Sequence, residues 1–385
     1  MKNKRSSMIN TDRLGKRFQS LVEIDSLSRC EKDVADMLEK ILTDMGAIVK
    51  FDNAKEKVNG NCANLIAKFK GTMNKAPIFL SGHMDTVGPG EGIKVMFENG
   101  IFKSDGSTVL GADDKSAIAI ILEVMDVILE NRIDYPPVEI IFTVCEEIGL
   151  LGAKNLDYAM IESDFGYILD STNAKGIVTR APGANNINIK IYGRAAHAGA
   201  EPENGISAIA IASKAISRLS LGRIDEVTTC NLGTINGGVA TNIVPEFVEI
   251  KGEARSHDDQ KLKIVTDDIV NAFQEAVSAF ENGSGLPKAD IEVKKDFPGT
   301  EIAEDHKIIL LAKKAAKNIG INFESKTTGG GADANIFFKK GIVAGVLGTG
   351  MKDVHTLNES IALKDMEITA RLVLEILRLY ASETP

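Results

Sequence analysis

The 385-residue chain offers little from which a disulfide-stapled, membrane-spanning or nucleic-acid-binding protein could be built. Its four cysteines (Cys30, Cys62, Cys145 and Cys230) are scattered and form no CxxC pair. That spacing excludes a disulfide framework and a cysteine-rich zinc site, and fits reduced, mostly buried thiols. No apolar run approaches the ~18 residues of a membrane span. Lys and Arg number 45 against 54 Asp and Glu, a net charge of −9, and they form no cluster. A nucleic-acid binder needs a basic face to neutralise phosphates, so that class is excluded too. There is no GxSxG elbow and no GxxxxGK[ST] loop. Gly329-Gly-Gly-Ala-Asp and Gly348-Thr-Gly-Met-Lys lack the third glycine of a dinucleotide fingerprint and suit contacts to a substrate backbone better. Internal repeats and low-complexity segments are absent.

What is there is ordinary for a globular protein. Hydrophobic residues make up 44% and charged residues 26%, which excludes a disordered or fibrous chain. At about 150 residues per domain the length gives two to three domains. Met1–Asn10 is basic, but an amphipathic stretch follows it where a signal peptide would have its apolar core. The expected compartment is therefore the cytoplasm. The first seven residues read as a disordered tail, which makes Met8 a second candidate start.

Thr11–Leu42 has apolar residues at helical spacing around a break at Ser26–Ser28. Strands and helices then alternate: Ala76–Leu80 and Val138–Val144 read as strands, Ser116–Leu129 as a helix, and Tyr167–Asp170 as a strand. This rhythm predicts an α/β fold with a mostly parallel sheet and helices on both faces. Near Pro182 the pattern changes to half-solvated alternation, as in Asn186–Tyr192, with two helices among the strands. Residues 182–297 thus read as a smaller α+β domain inserted into a discontinuous one, residues 1–181 and 298–385. The α/β rhythm resumes with a helix at 304–318, a strand at 342–347 and a helix at 363–381.

Five strand ends or turns carry side chains able to bind a metal. His83 and Asp85 stand two apart, so an extended backbone points both to one side. Asp113 and Asp114 precede a helix, where they would complement its dipole or bridge two cations. Glu146 and Glu147 follow a very apolar strand and face opposite ways, so one can ligate while the other acts as a base. Asp170 closes another strand, and His355 lies in a polar turn beside Asp353. Each has a plainer structural reading as a cap, a turn or a loop residue. Together they gather where open α/β sheets bind ligands, at the carboxyl ends of the strands. The set of imidazoles and carboxylates suits Zn²⁺, Mn²⁺ or Co²⁺. It exceeds the three protein ligands of one catalytic ion and matches two ions sharing a carboxylate.

The stretches SGHMDT, DGSTVLGADDKSA, TVCEEIGLLGAKNLD, YILDS, GRAAHAG, GGVATNIVP, GEARSHD and DVHTLNE run in order from residue 81 to 359. As a set they resemble the M20 metallopeptidases, and within them the peptidase T-like (tripeptidase-like) branch. The resemblance implies one zinc held by His83, Asp113 and Asp170 and another by Asp113, Glu147 and His355. Asp113 is the bridge because it stands two before Lys115. Co²⁺ or Mn²⁺ can substitute in such centres. It further implies Glu146 as general base and acid, with Asp85 orienting His83. The insertion becomes a lid and dimerisation domain, in which His197 polarises the scissile carbonyl. Asn242, Arg255, Gly330 and Gly331 match substrate-binding positions. The chain departs from the pattern at Ser116-Ala117 and at Asp170-Ser-Thr, where peptidase T resembles Asp-Gly-Gly; the second bears on peptide specificity.

The implied activity is di-zinc hydrolysis of short peptides, releasing the N-terminal residue of a tripeptide, in a cytoplasmic homodimer that binds neither nucleic acid nor membrane. A carboxypeptidase or an N-acyl-amino-acid deacylase would use the same centre. The M42 aminopeptidases resemble the metal set but lack the GRAAHAG and TNIVP motifs. A catalytically silent metal-binding protein would have no use for an unligated Glu146.

Overall fold

The computed structural model describes residues 8–280 and 285–383, so the tail expected over residues 1–7 lies outside the described residues. The chain divides into two compact units: Met1–Thr179 with Glu301–Thr327 and Ala332–Pro385, and Arg180–Thr300 with Thr328–Gly331. The second unit is thus slightly wider than residues 182–297 and takes in the glycine-rich turn at 328–331, which the sequence reading left with the larger domain.

Among the described residues the larger unit is built on a nine-stranded sheet. At its centre Ile78–His83 runs parallel to Val138–Thr143 on one side and to Phe165–Ile168 on the other. Val343–Leu347 continues the parallel set beside Phe165–Ile168. The flanks are antiparallel, with Leu65–Phe69 on Val138–Thr143 and Ile48–Phe51 beyond it. The central strands are buried throughout, which is why they read as continuous apolar runs.

Both faces of the sheet are covered. Phe79 stacks on Phe337 of the helix Asp333–Lys339 at 5.2 Å. Gly82 points the opposite way, where a Cβ would press on Ala117 and the Asp114 carboxylate. Ala117 belongs to the helix Ala112–Glu130, which is buried on nearly every side. That helix is largely apolar because it lies between the sheet and the helices Thr11–Val22 and Leu363–Ser382, and its Glu123, Asp126 and Glu130 pair with Arg13 and Arg17 of the former.

The expected break at Ser26–Ser28 separates two helices, Thr11–Val22 and Lys32–Asp44. The helix expected from Ser116 lies within Ala112–Glu130, a span whose Asp113 and Asp114 have non-helical dihedrals, so its regular part starts close to Ser116. A four-stranded sheet made of Val95–Glu98, Ile101–Ser104, Met351–Lys352 and Ser360–Ala362 was not legible, because strands of two to four residues carry too little alternation to show.

The second unit has a five-stranded antiparallel sheet, ordered Gly222–Arg223, Thr228–Gly237, Phe247–Ser256, Gly183–Tyr192 and Lys288–Phe297. The helices Ala208–Ile216 and Asp259–Ser278 cover one face, closing a core of Ile187, Ile189, Ile191, Val248, Ile250 and Phe273 with their neighbours. Ser207 and Asp258 cap these helices by accepting from free first-turn N–H groups.

Phe142 lies fully buried in the central parallel set. Phe142→Ala should destabilise the larger unit by about 3–5 kcal/mol. Urea unfolding checks this through a lowered midpoint; an unchanged midpoint would contradict the assignment of this strand to the core.

Candidate dinuclear metal centre

The carboxyl ends of the parallel strands bring the expected side chains together. His83 ends the central strand, and Glu146 and Glu147 follow the end of Val138–Thr143. Asp170 follows Phe165–Ile168, and Asp113 opens the buried helix that packs on the sheet. His83 Nε2 stands 3.1 Å from Asp113 Oδ1, and His355 Nε2 stands 3.3 Å from Asp113 Oδ2. His355 Nε2 is also 2.9 Å from Glu147 Oε2. Two groups of ligand atoms lie within 4.8 Å of one another: His83, Asp113 and Glu147, and Asp113, Asp114 and Asp170. Asp113 belongs to both.

Asp85 does two things. Its Oδ1 lies 3.3 Å from His83 Nδ1, which also meets the Asp85 carbonyl at 2.9 Å. Its two oxygens accept the backbone N–H of Glu146 at 3.0 Å and of Glu147 at 3.2 Å, and the Ser28 hydroxyl at 2.6 Å. The turn that aims the two glutamates makes no ladder bonds at these groups. Side chains satisfy it instead: Asn64 Oδ1 takes the Val144 N–H at 3.1 Å and Glu31 Oε1 takes the Cys145 N–H at 2.9 Å. Four successive N–H groups are thus held by three buried side chains.

The electrostatics call for cations. Burial pushes the Glu146 carboxyl well above its usual range against the pull of His83, and Asp170, Asp333 and Glu147 add to the rise. Burial, then the Asp113 charge, pushes Asp170 up to about 8. Asp114 is raised by burial and by Asp170, and its buried Oδ1 has no partner. Asp113 goes the other way: burial favours its neutral form, but hydrogen bonds from His355 and His83 outweigh it. His355 is pushed up to about 10 by its bonds to Asp113 and Glu147. Buried carboxylates at this density cost heavily unless positive charge meets them. Imidazole nitrogens and carboxylate oxygens, with no thiolate among them, fit a pair of divalent cations. Cys145 is no ligand, since its buried Sγ turns to Glu31 Oε1 at 3.3 Å.

The chain matches the family described as Peptidase family M20/M25/M40 over residues 79–379. It is 42% identical over 371 residues to Uncharacterized protein YqjE of Bacillus subtilis, with 96% of this chain and 99% of that one covered. The chain belongs to peptidase family M20/M25/M40. It is therefore a metallopeptidase, a hydrolase. Among solved structures, a tripeptidase from Staphylococcus aureus shares 38% identity and a TM-score of 0.92, covering 98% of this chain and 100% of that one. The aminopeptidase PepT from Bacillus cereus shares 39% identity and a TM-score of 0.88, covering 97% and 100%. These likenesses bear out the peptidase T-like branch that the motifs resemble.

The peptidase's remaining expected site residues lie in the second unit. His197 is exposed, and its Nδ1 accepts the N–H groups of Gly199 at 3.1 Å and Ala200 at 3.0 Å. The neutral ring therefore carries its proton on Nε2, which is left to donate. Asn242 is next to it, because the Ala198 N–H bonds the Asn242 carbonyl at 2.9 Å. Arg255 is already engaged: its fork meets both oxygens of Glu253 at 3.1 and 2.9 Å, and Nη1 reaches the Gly329 carbonyl at 3.4 Å. Gly331 has a packing reason to be glycine, since a Cβ there would collide with the Phe297 ring. Gly330 donates its N–H to Thr328 Oγ1 at 3.2 Å, and a Cβ there would make only an ordinary contact with that hydroxyl, at 3.8 Å.

Sequence reasoning passed over several residues. Asp114 was visible beside Asp113 but set aside; the structure groups it with Asp113 and Asp170. Asp333 is buried with Oδ2 on the Thr143 hydroxyl at 2.6 Å, and burial first pushes it up to about 6. Glu31, Asn64 and Glu359 act through backbone groups far away in the chain and Ser28 through the distant Asp85 carboxylate, and no local spacing announces such pairs.

Asp85→Asn replaces one oxygen by an NH₂ that must face a hydroxyl or an N–H. It should destabilise the peptidase by about 1–3 kcal/mol in urea titration. It should also weaken metal binding by roughly 10–100-fold in a chelator competition. Wild-type stability together with wild-type affinity would show that Asp85 does not hold the turn.

Proposed function

We propose that the protein is a di-zinc aminopeptidase that releases the N-terminal residue of short peptides, tripeptides foremost. The observation that carries this reading is the Asp113 carboxylate flanked by His83 and His355, with Glu147 and Asp170 around it and Glu146 outside both ligand groups but within reach of the charges of His83 and Asp170. The tripeptidase and PepT likenesses support the choice of substrate. His83, Asp113 and Asp170 would hold one zinc and Asp113, Glu147 and His355 the other, with Co²⁺ or Mn²⁺ as substitutes. Two such ions supply Lewis-acid polarisation and acidify water.

The chain's own residues do the rest. Glu146 takes a proton from the attacking water and returns it to the leaving amine. Burial raises its carboxyl above the usual carboxylate range, the direction a group that must both take up and give back a proton needs. Asp85 keeps His83 oriented and the Glu146 backbone in place. His197 presents its Nε2 proton to the scissile carbonyl oxygen, and Arg255 pairs with the substrate carboxylate, where a planar fork serves better than an ammonium. Asn242, Gly330 and Gly331 contact the peptide backbone. Residues 182–297 serve as lid and dimerisation domain. Among the described residues no helix is long and apolar enough to cross a membrane. Four free cysteines accord with a reducing compartment, the cytoplasm.

Glu146→Gln should retain both metals by elemental analysis and lower kcat by about 10²–10⁴-fold; near-normal turnover would remove Glu146 from its role. Zn²⁺- or Co²⁺-loaded protein, offered free-amine tripeptides, dipeptides and N-acetyl amino acids, should release the N-terminal residue of the tripeptides and lose that activity in EDTA. Cleavage of the N-acetyl compounds alone would make it a deacylase and overturn the substrate assignment.

A further inference from the structure

Glu359 is 2% exposed, and both of its carboxylate oxygens are spent on backbone N–H groups of one distant loop. Oε2 accepts from Leu110 and Gly111, each at 2.8 Å, and Oε1 accepts from Asp113 at 3.0 Å. These donors lie in the turn that leads into the buried helix, whose regular part starts only after Asp113 and Asp114, both of non-helical dihedrals. Gly111 itself sits at φ +73°, so the chain turns sharply just before Asp113. A single carboxylate that accepts three N–H groups of one turn restrains that turn's geometry.

Glu359 also closes the segment that carries His355. Its own N–H bonds the Thr356 carbonyl at 3.1 Å, and Thr356 Oγ1 bonds the Asp353 carbonyl at 2.7 Å. Asp353 and His355 lie in the left-handed region, at φ +51° and +63°, a conformation that must be held by its surroundings. Immediately after Glu359, Ser360–Ala362 pairs with Ile101–Ser104 and fixes the segment from the other side. One buried side chain thus joins the loop of Asp113 to the loop of His355.

We propose that Glu359 is a positioning residue that sets the spacing between Asp113 and His355, and so the affinity of the cation held between them. The proposal rests on the dinuclear reading of the site. A residue that merely stabilised the fold would lower the unfolding temperature of the metal-free protein and leave both metal affinities alone. Glu359→Gln keeps the shape but turns an NH₂ toward at least one N–H donor.

The test is a Co²⁺ titration of the wild type and E359Q against a chromophoric chelator, read also by the visible absorption of bound Co²⁺. We expect one Co²⁺ to bind about 10–100-fold more weakly in E359Q, with a changed absorption band for that equivalent. We also expect a lowered kcat with KM within twofold of the wild type. Two equivalents bound with wild-type affinity and spectrum would overturn the role of Glu359 and leave the dinuclear reading standing. A wild type that takes up fewer than two Co²⁺ would overturn both. Should E359Q not fold, Glu359→Asp keeps the charge with a shorter reach and is read in the same way. If neither folds, Glu359 is a requirement of the fold and the positioning role is wrong.

Discussion

The concentration of carboxylates at the ends of the parallel strands is the constraint on which the rest of the larger unit turns. Asp85, Asp113, Asp114, Glu146, Glu147, Asp170 and Asp333 are buried or half-buried. Burial opposes ionisation at each of them, and for several the neighbouring negative charge adds to the cost. A fold does not collect such groups for stability, since apolar residues of similar size would pack more cheaply. The arrangement makes sense as a cation site, and Asp113, which meets both histidines, is its pivot.

Holding such a site requires a backbone that is rigid where it leaves the sheet. The strands end, and the ladder that ordered them ends too. From Val144 to Glu147 the N–H groups turn to Asn64, Glu31 and Asp85. Those of Leu110, Gly111 and Asp113 turn to Glu359. In both loops a buried polar side chain from elsewhere in the chain substitutes for a neighbouring strand. A turn whose successive N–H groups each have a buried acceptor is restricted to one geometry, which is how glutamates on a turn are held in place.

Much of this was legible in the sequence, for identifiable reasons. The central strands announced themselves as unbroken apolar runs such as VEIIFTV, and the second unit's sheet as alternation in Asn186–Tyr192. His83, Glu146, Glu147 and Asp170 were visible because each follows such a run directly. What stayed hidden depends on distance in the chain. Ser28 reaches Asp85 across a break that read only as the end of a helix, and Glu31 reaches Cys145 in the same way. Gly331 was read for its chemistry, whereas the Phe297 ring gives it a packing reason. The glycine-rich turn fell with the wrong domain because its partner across the sheet edge, Arg180, lies about 150 residues earlier, where no short-range pattern connects them.

A dinuclear centre of this kind requires Asp113 to be shared between two cations. Anomalous diffraction at the zinc edge from crystals of the zinc-loaded protein tests that claim most directly. Two peaks about 3.5–4 Å apart, each within about 2.0–2.2 Å of an Asp113 oxygen, are the predicted result. A single peak, or a second one away from Asp113, would contradict it.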